Sequence, residues 1–269
     1  MTGVQTCALP IYPDGQVVTL RKPTYTVTNA YQSLPVGFLL SPRLAPPVFG
    51  LGLLQNIPEP TILSFADEND TDGDGISGKP NYLYNSFTQK TELGRFGLKA
   101  NTPNLLMQVA SAYHQDMGIT NYVFTKESSW GQPQSDNLAD DPELADSTLN
   151  HVTFYVKTLA VPARRNVTDA DVQAGKQLFT RINCSGCHKP LVQTGTEVTM
   201  AALNNQRIQP FTDLLLHDMG DDLADNRPDF LASGKEWRTA PLRGIGLFAK
   251  TNGTPFYRIH STNPLFFMI

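Results

Sequence analysis

The chain has no long Lys or Arg run, and its 21 basic residues are outnumbered by 25 acidic ones, for a formal charge of −4. Without a basic stripe or a basic amphipathic helix it lacks the electrostatic footprint that nucleic acid or an anionic membrane surface requires. Neither is expected as a partner. A long hydrophobic run is missing as well. The most apolar stretch, Val36–Leu54, is broken by Pro42, Arg43, Pro46 and Pro47, short of the ~20 continuous apolar residues a spanning helix needs. The start shows neither a basic n-region nor an apolar h-region with a cleavage site, so no signal peptide is read there. Cysteine is scarce, at three residues in 269, which excludes a disulfide-stapled scaffold. There is no internal repeat and no low-complexity tract.

What is present is ordinary size and apolar content: 269 residues at 40% hydrophobic can bury a sizeable core in one large or two ordinary domains. The opening MTGVQTCALPI resembles a translated sequencing-adapter remnant, so residues 1–11, Cys7 included, are expected to be foreign to the fold. The end, FYRIHSTNPLFFMI, is as abrupt, and the chain is expected to be an internal fragment of a longer protein. Residues 12–65 are rich in Pro and Gly; the β-branched alternation in Val17–Thr28 predicts a short strand or two. Asp67–Asn81 is an acidic, glycine-rich loop by composition. Leu105, Leu106, Val109, Ala110 and Tyr113 have helical spacing, with Gly118 available as the stop. Residues 126–146 read as a long polar loop. Leu149, Val152, Tyr155, Val156 and Leu159 share a second helical face that must end before Pro162. Thr168 with Asp171 opens a third helix, which delivers the chain to CSGCH. After Pro210, FTDLLLHDMG is expected to form one short helix.

CSGCH, residues 184–188, carries the most specific chemistry. Two thiols three residues apart, followed at once by His, suit covalent haem attachment: Cys184 and Cys187 bond the vinyl groups and His188 lies beneath the iron. Structural zinc would need a second ligand pair, and no other CxxC or HxxxH occurs. A redox dithiol of the thioredoxin kind would follow a strand rather than a helix. With Cys7 set aside, the thioethers use every thiol. Haem of this type is attached outside the bacterial cytoplasm, so an exported, periplasmic parent is expected. Met200, His217 and Met219 are candidates for the sixth iron position, each equally readable as core packing.

The acidic loop DTDGDG places Asp70, Asp72 and Asp74 at alternate positions with Gly75 following, the spacing of positions 1, 3, 5 and 6 of a calcium loop. Its twelfth position is Asn81 rather than a bidentate Glu. A calcium ion and a solvated acidic turn are both open readings.

The segments SPRLAPPVFGLGLLQNIPE, DTDGDGISGKPN, GRFGLKA, QVASAYHQDMGIT, LAVPARR, CSGCHKP, FTDLLLHDMGDDLAD and EWRTAPLRGIG resemble, in this order, those of the di-haem oxidoreductases, relatives of bacterial di-haem cytochrome c peroxidase. The resemblance runs from about Tyr12 to His260. It implies two haems, the second on this CxxCH and the first on a CxxCH upstream of these residues. It implies that Gln108 and Asp116 line the distal side of the reactive haem, the carboxylate moving a proton between the oxygens of peroxide. It implies that Thr239 and Pro241 offer carbonyls to a calcium ion and that Arg243 pairs with haem propionates. Leu98 stands where relatives often have Trp. The family's His-Asp-Gly-Arg run would begin at His260, where Ser261 breaks it, so the distal ligand of this haem is expected beyond the given residues.

The fold expected is mainly α: a cytochrome c-like helical haem domain over 147–269, truncated at its C-terminus, with an extended, loop-rich N-terminal portion over 12–146 belonging to the first domain. The function expected is that of a peroxidase-like haem c oxidoreductase whose retained haem receives electrons from a donor protein, with hydrogen peroxide or a small oxidant as substrate. The fragment alone is expected not to be fully active. The rival is a non-catalytic cytochrome c electron carrier. Thiol oxidation, also ascribed to the family, finds no spare cysteine pair here.

Overall fold

A computed structural model of the chain describes residues 3–6, 21–30, 32–43, 45–197 and 199–247. Cys7, Tyr12, His260 and the aromatic terminus lie outside the described residues. Near the start, β1 (Gly3–Thr6) pairs antiparallel with β2 (Arg21–Thr24), so β2 falls within the stretch expected to be extended. Two short helices then follow, α1 (Leu51–Gln55) and α2 (Glu59–Leu63), in a region expected to hold little regular structure. Gly50, in the left-handed region, turns the chain into α1, and Pro58 precedes α2 with Pro60 in its first turn, where a missing N–H costs nothing.

The acidic loop is closed at its base by Asp67 and Gly78, whose backbones exchange hydrogen bonds of 3.0 and 3.1 Å. Beyond it, β3 (Tyr82–Asn85) and β4 (Lys90–Leu93) form a hairpin. The first expected helix begins as α3 (Leu105–Ser111), capped by Asn104, whose side chain accepts from the Met107 N–H at 3.0 Å. It does not stay α-helical. Residues Ala112–Asp116 form a π turn, and Gly118, at φ +74°, stops it. The second is α4 (Asp146–Thr158), packed on α1 and α3, with Leu149 wholly buried beside Val109 and Ala110. Gly52 lets α1 lie against α4, because a Cβ there would strike the Lys157 carbonyl. The third is α5 (Ala170–Arg181), capped by Asp169 rather than Thr168.

The remaining elements are short: β5 (Val192–Gln193) with β6 (Arg207–Ile208), and β7 (Leu216–Asp218) with β8 (Glu236–Arg238). The main core joins Leu54, Ile57 and Ile62 to Leu93, Leu105, Val192, Ile208 and Leu214, so residues from both halves of the sequence build it.

Two expectations are corrected. The fold is not mainly α: it is 27% helix and 11% strand, and among the described residues only α4 and α5 exceed two turns. Among the described residues prolines and glycines repeatedly interrupt the backbone ladder, leaving loops held by side-chain caps rather than by helix packing. The segment FTDLLLHDMG is not a helix either. Phe211 and Leu214 take positive φ, and Leu216–Asp218 forms β7, with Lys79 bridging Leu216 from one side and β8 pairing from the other. Three consecutive leucines, 214–216, are buried. An amphipathic helix would expose one of them, whereas backbone inserted between two neighbours buries all three.

Candidate functional site

The haem-type motif sits at the end of α5. Asn183, in the left-handed region, ends the helix and starts a 3-10 turn over Cys184–Gly186. Gly186 is packed so closely on Ile76 of the acidic loop that a Cβ would clash, and Asn183 Nδ2 donates to Asp74 Oδ2 at 3.1 Å. The acidic loop therefore braces the cysteine turn. His188 is 6% exposed. Its Nδ1 lies 2.9 Å from the Phe211 carbonyl, which can only accept, so the proton is on Nδ1 and the Nε2 lone pair is the one left for a metal. Burial pushes this imidazole's pKa down, against the opposing Phe211 contact, and favours the neutral, ligating form. The Phe179 ring lies 6.3 Å from His188 and edge-on to Phe211.

α5 itself has no buried residue, and Leu178 and Ile182 are 43% and 60% exposed. A 12-residue helix without a packed face is marginal by itself. Its apolar surface ends at the two cysteines, both partly exposed and free.

His217 on β7 faces the same turn. Its Nδ1 lies 3.6 Å from Cys187 Sγ and its Nε2 2.9 Å from Asp213 Oδ2. Burial works against the imidazolium, yet Asp213 and the Cys187 sulfur raise its pKa to about 10. Conversion of Cys187 to a thioether would leave Asp213 as the anionic partner. Both ring nitrogens of His217 have partners here, Cys187 at Nδ1 and Asp213 at Nε2. Met200 and Met219 are partly buried.

A second region gathers residues far apart in the chain. Gln108, Asp116, Pro241 and Arg243 all line one largely apolar cavity of 420 Å³, together with Arg238. Eight residues of pure α-helix would swing Asp116 about 80° from Gln108. The wider π turn takes up that rotation, and such turns are frequent at functional sites. Two buried arginines line the same cavity. Arg238 donates to the Gly97 and Thr239 carbonyls at 2.7 and 3.1 Å, and Arg243 to the Gly50 carbonyl at 2.9 Å. Neither has an ion-pair partner among the described residues. Burial lowers both guanidinium pKa values to about 10; Asp213 opposes this at Arg238, and Arg238 adds to it at Arg243. Both stay cationic at neutral pH.

The calcium candidates divide. Asp67, Asp70 and Asp72 bring carboxylate oxygens within 4.8 Å of one another, while Asp74 turns to Asn183. Asn81 is wholly buried and donates to the Lys99 and Asp229 carbonyls, away from the loop. The Thr239 carbonyl already accepts from Thr212 Oγ1 at 2.6 Å and from Arg238 Nη1, and the Thr239 hydroxyl is buried without a partner. Leu98 is buried, its carbonyl accepting from the Arg238 N–H.

Arg238, Phe211 and Asp213 escaped the sequence reading. Arg238 carried one visible sign, lying five residues from Arg243 in the same quoted block. The roles of the other two arise from backbone direction, which composition does not reveal.

A CxxCH turn with a lone pair left on His188 Nε2, a partnered Nδ1 and an uncovered apolar helix face is the donor set that a thioether-linked haem requires, and the residues fit that group. The wider class is that of haem oxidoreductases. The family described as "Di-haem oxidoreductase, putative peroxidase" matches residues 7–258, and the chain belongs to it. No curated protein and no solved structure matches the chain. Among the described residues no helix is long and apolar enough to cross a membrane.

Proposed function

We propose that the protein is an exported, peroxidase-like di-haem oxidoreductase in which Cys184 and Cys187 hold one haem c and His188 ligates its iron. The observation that carries the peroxidase reading is the convergence of Gln108, Asp116, Arg238 and Arg243 on one apolar cavity. When bound, haem supplies the redox chemistry, electrons entering from a donor protein at the His188 site and hydrogen peroxide being reduced at the family's first haem. The chain contains a single CxxCH, so in this reading the first haem is attached outside the given residues.

The residues contribute as follows. The Phe211 carbonyl holds the His188 tautomer. The Asp116 carboxylate takes the proton from one peroxide oxygen and returns it to the other as the O–O bond breaks, and the Gln108 amide orients the bound peroxide. Gln108 is partly buried and Asp116 is open to solvent. The buried guanidinium groups of Arg238 and Arg243 suit carboxylates on a bound group. A calcium ion belongs to this reading at the carboxylates of Asp67, Asp70 and Asp72, where it would stiffen the loop whose Asp74 braces the cysteine turn through Asn183.

The test uses the protein carrying both haems. Asp116→Asn should lower peroxide turnover by about 10²–10⁴-fold with the ferric spectrum unchanged. A wild-type protein that is wholly low-spin and turns over no peroxide would sink the reading. Export is checked separately by finding the haem-loaded protein in the periplasmic fraction; recovery only from the cytoplasm would reject it.

A further inference from the structure

A second cleft of 440 Å³ is lined by Arg164, Arg165, Arg207 and Arg243, with Leu53 and Leu242 in its floor, and no Asp or Glu lines it. The guanidinium contacts are all to neutral acceptors. Arg164 donates to Gln209 Oε1 at 2.9 Å, Arg165 to the Gly246 carbonyl at 3.4 Å, and Arg243 to the Gly50 carbonyl. None of the four forms an ion pair among the described residues. In a chain of net charge −4, four arginines gathered without a carboxylate leave unneutralised positive potential above an apolar floor. Arginine's planar fork matches carboxylate geometry, and an apolar recess with a few convergent polar groups is the usual form of a small-ligand site.

We propose that this cleft binds a carboxylate-bearing ligand with an apolar body, held by Arg164, Arg165 and Arg207. Two sources offer that chemistry: a free organic acid, and the propionates of the chain's own haem. The His188 Nδ1 lies 2.9 Å from the Phe211 carbonyl. Phe211 itself lines the cleft, and the segment from Ala240 runs on into its wall at Leu242 and Arg243. Neither Cys184, Cys187 nor His188 lines it.

Calorimetric titration with adipate separates the two sources when applied to the haem-loaded chain and to a Cys184→Ala, Cys187→Ala chain. The variant Arg164→Gln, Arg207→Gln changes two exposed side chains, and an unchanged melting temperature verifies its fold. Saturable binding to both chains, weakened about tenfold or more by the arginine variant, supports a free acid. The propionate source predicts binding to the unloaded chain alone. It also predicts that, in the loaded arginine variant, the pH at which the haem's reduction potential shifts moves up by about 1–3 units. The proposal is overturned by adipate binding that is indifferent to the arginine variant, or by no saturable binding in either chain together with an unchanged pH profile.

Discussion

Replacing Asp225 by Asn tests the framework that holds the cavity wall. Asp225 accepts from Ser41 Oγ at 2.6 Å, from Arg43 Nη2 at 2.7 Å and from Lys99 Nζ at 3.0 Å. Lys99 is wholly buried and lies 4.5 Å from the centroid of the Trp237 ring, which Arg43 also approaches. This network ties the segment of Ser41 and Arg43, which precedes the cavity-lining residues 45–49, to β8, which supplies Arg238. In the variant Arg43 retains Asp229, but Lys99 loses its carboxylate. Breaking a buried pair from one side costs about 3–5 kcal/mol, which for a chain of this size is a melting temperature lower by roughly 6–20 °C. The pH dependence gives a second signature. Burial opposes ionisation of Asp225, yet Ser41, Arg43 and Lys99 hold its pKa below the ordinary value. Its contribution is therefore present above the unfolded pKa and lost as pH falls through the folded one, and the variant should lack that acid-side decline. Burial likewise depresses Lys99, with Asp225 opposing. Without Asp225 the depression deepens, and the variant should gain stability more steeply as pH rises towards the ordinary lysine pKa. Urea unfolding of the haem-loaded protein from pH 3 to 10 measures both. A loss below about 1 kcal/mol at pH 7, with an unchanged acid limb, would refute the assignment of these ions as a buried, interdependent network.

Three further outcomes are expected. The Cys184→Ala, Cys187→Ala chain should lose all covalent haem in a pyridine haemochrome assay, and retention would reject the attachment site. Gly52→Ala should destabilise by about 1–3 kcal/mol through the clash with the Lys157 carbonyl, outweighing the helix-propensity gain of about 1 kcal/mol; a stabilised variant would show that α1 and α4 do not pack this closely. Calcium should bind the acidic loop weakly, with a Kd on the order of 10⁻⁴ M, and Asp70→Asn should abolish the calorimetric signal; equal binding by the variant would remove the loop from consideration.

Local rules disclosed the elements whose determinants are neighbours in the chain. Spacing and capping marked α3, α4 and α5 to within a few residues, because a 3.6-residue period and a stop at Gly118 or before Pro162 are properties of adjacent side chains. CSGCH is legible in the sequence for the same reason: its three candidate donors lie within five residues. Tertiary contacts decided the rest. Three leucines ahead of His217 became buried loop and strand because Lys79 and β8 supplied backbone partners, contacts that no helical periodicity can report. The modest helix content follows from many caps, turns and left-handed residues that are individually weak signals. The π turn that brings Asp116 round to Gln108, and the Phe211 carbonyl that leaves the Nε2 lone pair on His188, depend on where the backbone points. The ordering of motifs along the sequence disclosed the family and its chemistry; only the folded chain showed that the acidic loop braces the cysteine turn, and that buried arginines and a distant helix share one cavity.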